Sequence, residues 1–155
     1  MSINIVLVEP EIPQNTGNII RTCACTGAKL HLIRPLGFSM DERSLKRAGL
    51  DYIDLVEIYF YDSFEEFEQK NSGNYFLFST KASLLYTEVE YPKDCYLIFG
   101  KETAGLSSSI RQKYEEHLVK LPMISSERIR SLNLSNTVCV AVFEAIRQIQ
   151  PQNLI

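Results

Sequence analysis

The chain has 155 residues, a length that suits one domain with a hydrophobic core of its own. Its hydrophobic share of 45% and charged share of 23% are ordinary for a soluble globular protein. A net charge of −3 counts against a strongly basic nucleic-acid binder but leaves room for a local patch, with Arg43, Lys46, Arg47, Arg128 and Arg130 as candidates.

Apolar runs alternate with amphipathic stretches along the chain. Ile3 to Val8 predicts a buried strand. Pro13 then opens a helix with Asn15 or Thr16 as N-cap and Gly27 as its stop. Leu30 to Ile33 is a second strand, closed by Pro35. Asp41 to Ala48 is a short polar helix and Ile53 to Ile58 a strand. Asp62 or Ser63 caps a helix that carries Glu65 and Glu66 in its first turn. Tyr75 to Ser79 and Cys95 to Phe99 are strands, Leu106 to Tyr114 is a helix, and Leu118 to Leu121 a short strand. The last helix starts near Asn133 or Ser135 and runs to about Gln148, with Val138, Val142, Ala145 and Ile149 as its apolar stripe. This alternation predicts a single α/β domain over residues 1–155, with a mainly parallel sheet flanked by helices.

Ligands of open parallel sheets bind beyond the carboxyl ends of the strands. That singles out three loops, which are also rich in Gly, Asn and Ser. Pro13-Gln14-Asn15-Thr16-Gly17-Asn18-Ile19-Ile20-Arg21 follows the first strand, Gly100-Lys101-Glu102-Thr103-Ala104-Gly105 follows Phe99, and Arg130-Ser131-Leu132-Asn133-Leu134-Ser135-Asn136 precedes the last helix. A helix N-terminus suits a phosphate or ribose, and paired glycines imply a sharp turn or close approach of a ligand. Read singly, each is as well explained by a cap or a turn as by a site. The second is neither a P-loop nor a dinucleotide fingerprint.

Neither histidine belongs to a Ser-His-Asp or Cys-His arrangement, and His31 and His117 read as structural. The four cysteines, at 23, 25, 95 and 139, form no C-x-x-C pair and read as buried free thiols of a reducing compartment. The N-terminus lacks a basic stretch before its apolar run, so no signal peptide is expected. No apolar run approaches the roughly 18 residues of a membrane span. A cytoplasmic protein is expected.

Taken together, in this order and spacing, the three segments resemble the SPOUT superfamily of knotted RNA methyltransferases. Within it they are similar to the small tRNA 2'-O-methyltransferases that act on the wobble nucleotide of the anticodon. The likeness also takes in Asn4-Ile5-Val6-Leu7, Glu9-Pro10-Glu11-Ile12, Ala48-Gly49-Leu50-Asp51-Tyr52 and Glu144-Ala145. It implies a deep C-terminal trefoil knot, a homodimer with shared active sites, tRNA as partner, and S-adenosylmethionine as co-substrate with no metal. It implies a cofactor pocket of Phe78, Ser79, Gly100, Leu121, Met123, Ser131 and Asn136. Arg21, Asn15 and Glu102 are then the expected catalytic residues, and Asn133, Lys46, Arg128 and Arg130 the substrate-binding ones. Lys101 and Ser107 stand where relatives often have Pro, and the loop from Ile124 to Ile129 is longer than in some. The competing readings are a ribosomal-RNA ribose methyltransferase and a non-catalytic knotted RNA-binding module.

Overall fold

Strand β1 (Ser2–Val8) is buried along nearly its whole length, as a strand covered on both faces must be. In the computed structural model, which describes residues 2–41, 43, 45, 47, 50–150 and 154, it lies in the interior of a seven-stranded sheet. The other strands are β2 (Lys29–Ile33), β3 (Ile58–Tyr61), β4 (Asn74–Phe78), β5 (Leu84–Leu85), β6 (Asp94–Phe99) and β7 (Leu118–Lys120). Their order is β3-β2-β1-β6-β4-β7-β5, and every pairing of neighbours is parallel.

Alternation along β1 sends Ile3, Ile5 and Leu7 into one half of the core and Val6 and Val8 into the other. The first half is covered by helix α1 (Pro13–Thr26), through Ile19, Ile20 and Cys23, and by the last helix, α4 (Leu134–Ile149), through Val138, Ala141, Val142 and Ala145. The second is covered by α2 (Phe64–Lys70), through Phe64 and Phe67, and by α3 (Ser108–Lys113), whose Ile110 packs against it.

Element ends follow local chemistry. Gly27 closes α1 at φ 74°, a left-handed conformation that suits glycine. Ser63 caps α2 by accepting from the Glu66 N–H at 3.1 Å, and Ser107 caps α3 through Ile110 N–H at 3.3 Å. The N-cap of α1 is Ile12, with Pro13 at the first helical position, so neither Asn15 nor Thr16 caps it. Both are buried inside the first turn.

Three other expectations change. Residues 50–55 form a 3-10 turn where a strand was expected, and the strand begins only at Ile58. Pairing with β2 starts where Leu30 N–H donates to the Glu57 carbonyl at 2.9 Å, so the Tyr-Phe-Tyr run forms the ladder while Ile53 and Val56 pack on the core from the turn. The two-residue β5 carries too little periodicity to be foreseen. Of the cysteines, only Cys23 and Cys95 are buried; Cys25 is exposed and Cys139 half-buried. The expected helix from Asp41 to Ala48 runs through residues outside the described set, Lys46 among them.

β1 leads through α1 to β2 on one side, whereas β6 leads through α3 to β7 on the other. The chain therefore switches direction between β1 and β6, which leaves a crevice at their carboxyl ends.

Candidate active site

Two loops meet in that crevice. Glu9, at φ 54°, turns the chain out of β1, and its N–H donates to the Ile33 carbonyl at 2.9 Å. After β6, Gly105 N–H donates back to the Lys101 carbonyl at 2.8 Å and closes a tight turn. Gly100 is obligatory there: a Cβ on it would sit 2.1 Å from the Gly105 carbonyl carbon.

The turn points Glu102 at the N-terminus of α1. Its carboxylate accepts from Glu11 N–H at 2.8 Å, Ile12 N–H at 3.1 Å and the Asn15 side-chain amide at 3.3 Å. Glu11 reciprocates, accepting from Thr103 N–H at 3.1 Å and the Thr103 hydroxyl at 3.0 Å. A negative group in this position answers both the free N–H groups and the helix dipole.

Asn15 passes the connection on. Its Oδ1 accepts from Asn133 Nδ2 at 3.0 Å. Asn133 in turn caps α4, its Oδ1 accepting from Ser135 N–H at 2.9 Å, the Ser135 hydroxyl at 2.7 Å and Asn136 N–H at 3.4 Å. Thus Glu102, Asn15 and Asn133 join the three suspected loops in one hydrogen-bonded chain.

Beside this chain opens a cleft of about 630 Å³, within the range of small-molecule sites. Phe78, Ser79, Gly100, Leu121, Met123 and Ser131 all line it, as do Asn15, Glu102, Asn133 and Arg130. Leu121 and Phe99 are buried, and Ser131 is exposed.

Other expected site residues lie elsewhere. Asn136 is not in the lining; only its backbone N–H joins the network, through Asn133. Arg128 is exposed outside the cleft. Arg21 is exposed as well, with its guanidinium 5.0 Å from the centre of the Tyr52 ring, a cation–π contact that fixes its position. Lys46 falls outside the described residues.

The sequence did not single out Lys81, Arg111 and Lys120, which line the cleft together with Lys101 of the second segment. Lys81 lies two residues beyond Ser79 and Lys120 directly precedes Leu121, so the signal was adjacency to residues already singled out. Among the described residues no group of three His, Cys, Asp or Glu side chains could hold a metal ion.

The family model described as SpoU rRNA Methylase matches residues 2–143. The chain belongs to that family. Among its relatives, the tRNA (cytidine(34)-2'-O)-methyltransferase of Escherichia coli strain K12 is 46% identical over 149 residues, covering 95% of this chain and 94% of that protein. A solved structure described as giving insight into the 2-OH methylation of C/U34 on tRNA superposes with a TM-score of 0.89 at 42% identity, covering 95% of each chain. An AdoMet-bound rRNA methyltransferase from Sinorhizobium meliloti superposes with a TM-score of 0.82 at 25% identity, covering 94% of this chain and 56% of that one. In this SpoU methylase, the loops joined by Glu102, Asn15 and Asn133 are the same segments that carry the sequence resemblance.

Proposed function

We propose that the protein transfers a methyl group from S-adenosylmethionine to the ribose 2'-OH of the wobble nucleotide in a tRNA anticodon loop. The observation that carries this reading is the convergence of the three segments on one cleft, in a chain whose near-full-length relatives are tRNA (cytidine(34)-2'-O)-methyltransferases. The family's name and the Sinorhizobium neighbour favour ribosomal RNA as the alternative substrate, but that neighbour covers this chain at lower identity and is much longer.

The cleft fits the cofactor chemically. Phe78, Phe99, Leu106 and Leu121 offer an apolar bed for an adenine ring. Ser79, Thr80, Ser131 and Thr137 offer hydroxyls for a ribose and for the amino-acid end. When bound, S-adenosylmethionine supplies an electrophilic methyl already activated by its sulfonium.

The chain's own residues then have to position the 2'-OH in line, exclude water and deal with the hydroxyl proton. Glu102 and Asn15 hold the loop walls; the carboxylate, bound to three N–H donors, acts by positioning. Arg21, a planar guanidinium with several donors, is assigned to stabilising the developing alkoxide and gripping phosphate.

Arg21 lies outside the cleft of its own chain, which supports a site completed by a second copy. Exposed Val140 and Phe143 on α4, with Leu132 and Met123 near the cleft mouth, form apolar surface that such a copy would cover. The working unit is therefore a homodimer, its C-terminal segment threaded as a trefoil knot, acting on tRNA in the cytoplasm. Arg128 and Arg130, with Arg43 and Lys46, are assigned to substrate binding, and Asn136 to the cofactor side.

The deciding experiment incubates the protein with labelled S-adenosylmethionine and total tRNA and maps the modified nucleoside. Methyl on the wobble ribose is the expected result. Methyl on a base, or no transfer to tRNA, overturns the assignment.

A further inference from the structure

Five cations line the cleft: Lys81, Lys101, Arg111, Lys120 and Arg130. Among the described residues none of them is in an ion pair, and the cations that are paired there with carboxylates, Lys29, Arg34, Lys70, Lys113 and Arg147, lie outside the lining. Among the described lining residues the one carboxylate, Glu102, has its oxygens turned to the N–H groups of the first loop. Lys101, Arg111 and Lys120 are half-buried, so their charge is partly desolvated without an ion-pair partner among the described residues. On a chain of net charge −3, that segregation builds a site for an anion.

Two of the five stand apart by position. Lys81 and Arg111 also line a second groove of about 340 Å³, so the two hollows meet at these side chains. Arg111 Nε donates to the Leu106 carbonyl at 3.2 Å, which orients its guanidinium from the end of the Glu102 loop and leaves its terminal nitrogens available. Such a fork suits bidentate contact with a phosphate, and Lys81 adds an exposed point charge. Glu115 and Glu116 line only the second groove, so a negative chain is favoured at the junction and opposed beyond it.

We propose that Lys81 and Arg111 bind a backbone phosphate of the RNA substrate at this junction, next to the nucleotide whose ribose enters the cleft. The inference rests on the reading that the substrate is RNA. The competing anion is the carboxylate of the cofactor, and the two sources separate experimentally.

Binding of a labelled anticodon stem-loop RNA is measured by fluorescence anisotropy across a salt series for the unaltered protein, K81Q/R111Q and K93Q. Lys93 is exposed and precedes β6, at the opposite end of the sheet from the cleft. The double variant is expected to lose about tenfold or more in affinity near physiological salt. Its slope of log affinity against log salt should fall by about two, with K93Q unchanged. Calorimetric affinity for S-adenosylhomocysteine should stay the same in all three. Unchanged RNA affinity and slope in the double variant overturn the proposal. So does a loss confined to S-adenosylhomocysteine, which assigns the pair to the cofactor. Absence of salt-dependent RNA binding in the unaltered protein instead removes the RNA reading itself. If the double variant does not fold, K81Q alone carries the test, with a slope change of about one.

Discussion

Two networks of polar side chains are each anchored on a buried residue, His31 in one and Asn15 in the other, and of these two only the second borders a cleft. On the α2 face of the sheet, His31 Nε2 meets Asn4 Oδ1 at 3.1 Å and Nδ1 meets the Tyr61 hydroxyl at 2.8 Å, inside a box that includes the rings of Tyr59, Phe67 and Tyr96. It joins neighbouring strands, both ring nitrogens are satisfied, and burial pushes the imidazole pKa down to about 4. At the carboxyl ends of β1 and β6, Glu102, Asn15 and Asn133 join loops 87 and 118 residues apart in sequence. The first network fastens a sheet to itself. The second fixes three loops against one another and so sets the shape of the space between them. A buried polar anchor is common to both; placement at the switch point is what marks the site.

The largest effect at the site end of that contrast is expected from Arg21→Ala, on the substrate side outside the cleft. Methylation should fall by about 10²–10³-fold or more, while calorimetric affinity for S-adenosylmethionine stays near that of the unaltered protein. Equal loss of both would put Arg21 in the cofactor pocket.

Glu102→Ala comes next. It strips the acceptor from two backbone N–H groups and from Asn15, which should cost about 3 kcal/mol in denaturant unfolding and weaken cofactor affinity in parallel. A variant that melts like the unaltered protein yet has lost kcat would show Glu102 acting on the chemistry instead of on loop geometry. His31→Phe should also destabilise the protein, but leave cofactor affinity alone, because its network reaches no cleft.

The sheet network also has a pH signature. A histidine whose pKa is about 4 when folded and near 6.5 when unfolded takes up its proton in the unfolded chain first. Its contribution is therefore present above about pH 6.5 and is lost as pH falls towards 4, amounting to about 3 kcal/mol in all. Denaturant midpoints taken between pH 6.5 and 5, above most carboxylate titration, should drop for the unaltered protein and stay level for His31→Phe.

Much of this was legible in the sequence, and the failures have common causes. β1, β2, β4 and β6 stand out because strands buried on both faces read as continuous apolar runs. Gly100 and Gly105 announced a tight turn. The side chain of Asn15, though, looked like a helix cap, because a cap and a loop tie use the same residue type at the same place. Only tertiary structure brings Glu102 to it. Residues 53–58 failed because Ile53 and Val56 pack equally well from a 3-10 turn, and pairing with β2 decides which residues form the strand. Of the cations of the cleft only Arg130 was singled out, because a lysine in a strand end or loop is normally a solvated charge. What distinguishes Lys120 or Arg111 is that each lines the cleft without forming an ion pair among the described residues, which sequence order does not encode.

Asn133 does two jobs through opposite ends of one amide, and substitution separates them. Oδ1 caps α4, while Nδ2 reaches Asn15. Serine is as good an N-cap as asparagine but is too short to hold the Asn15 contact as well, so Asn133→Ser should keep helix stability within a few tenths of a kcal/mol. Asn133→Ala removes both functions and should cost about 1 kcal/mol. If the tie between loops is what shapes the cleft, both variants lose cofactor affinity to a similar degree although only one is destabilised. If affinity instead tracks stability, the cap alone matters, and the network around Asn15 is no different in kind from the one around His31.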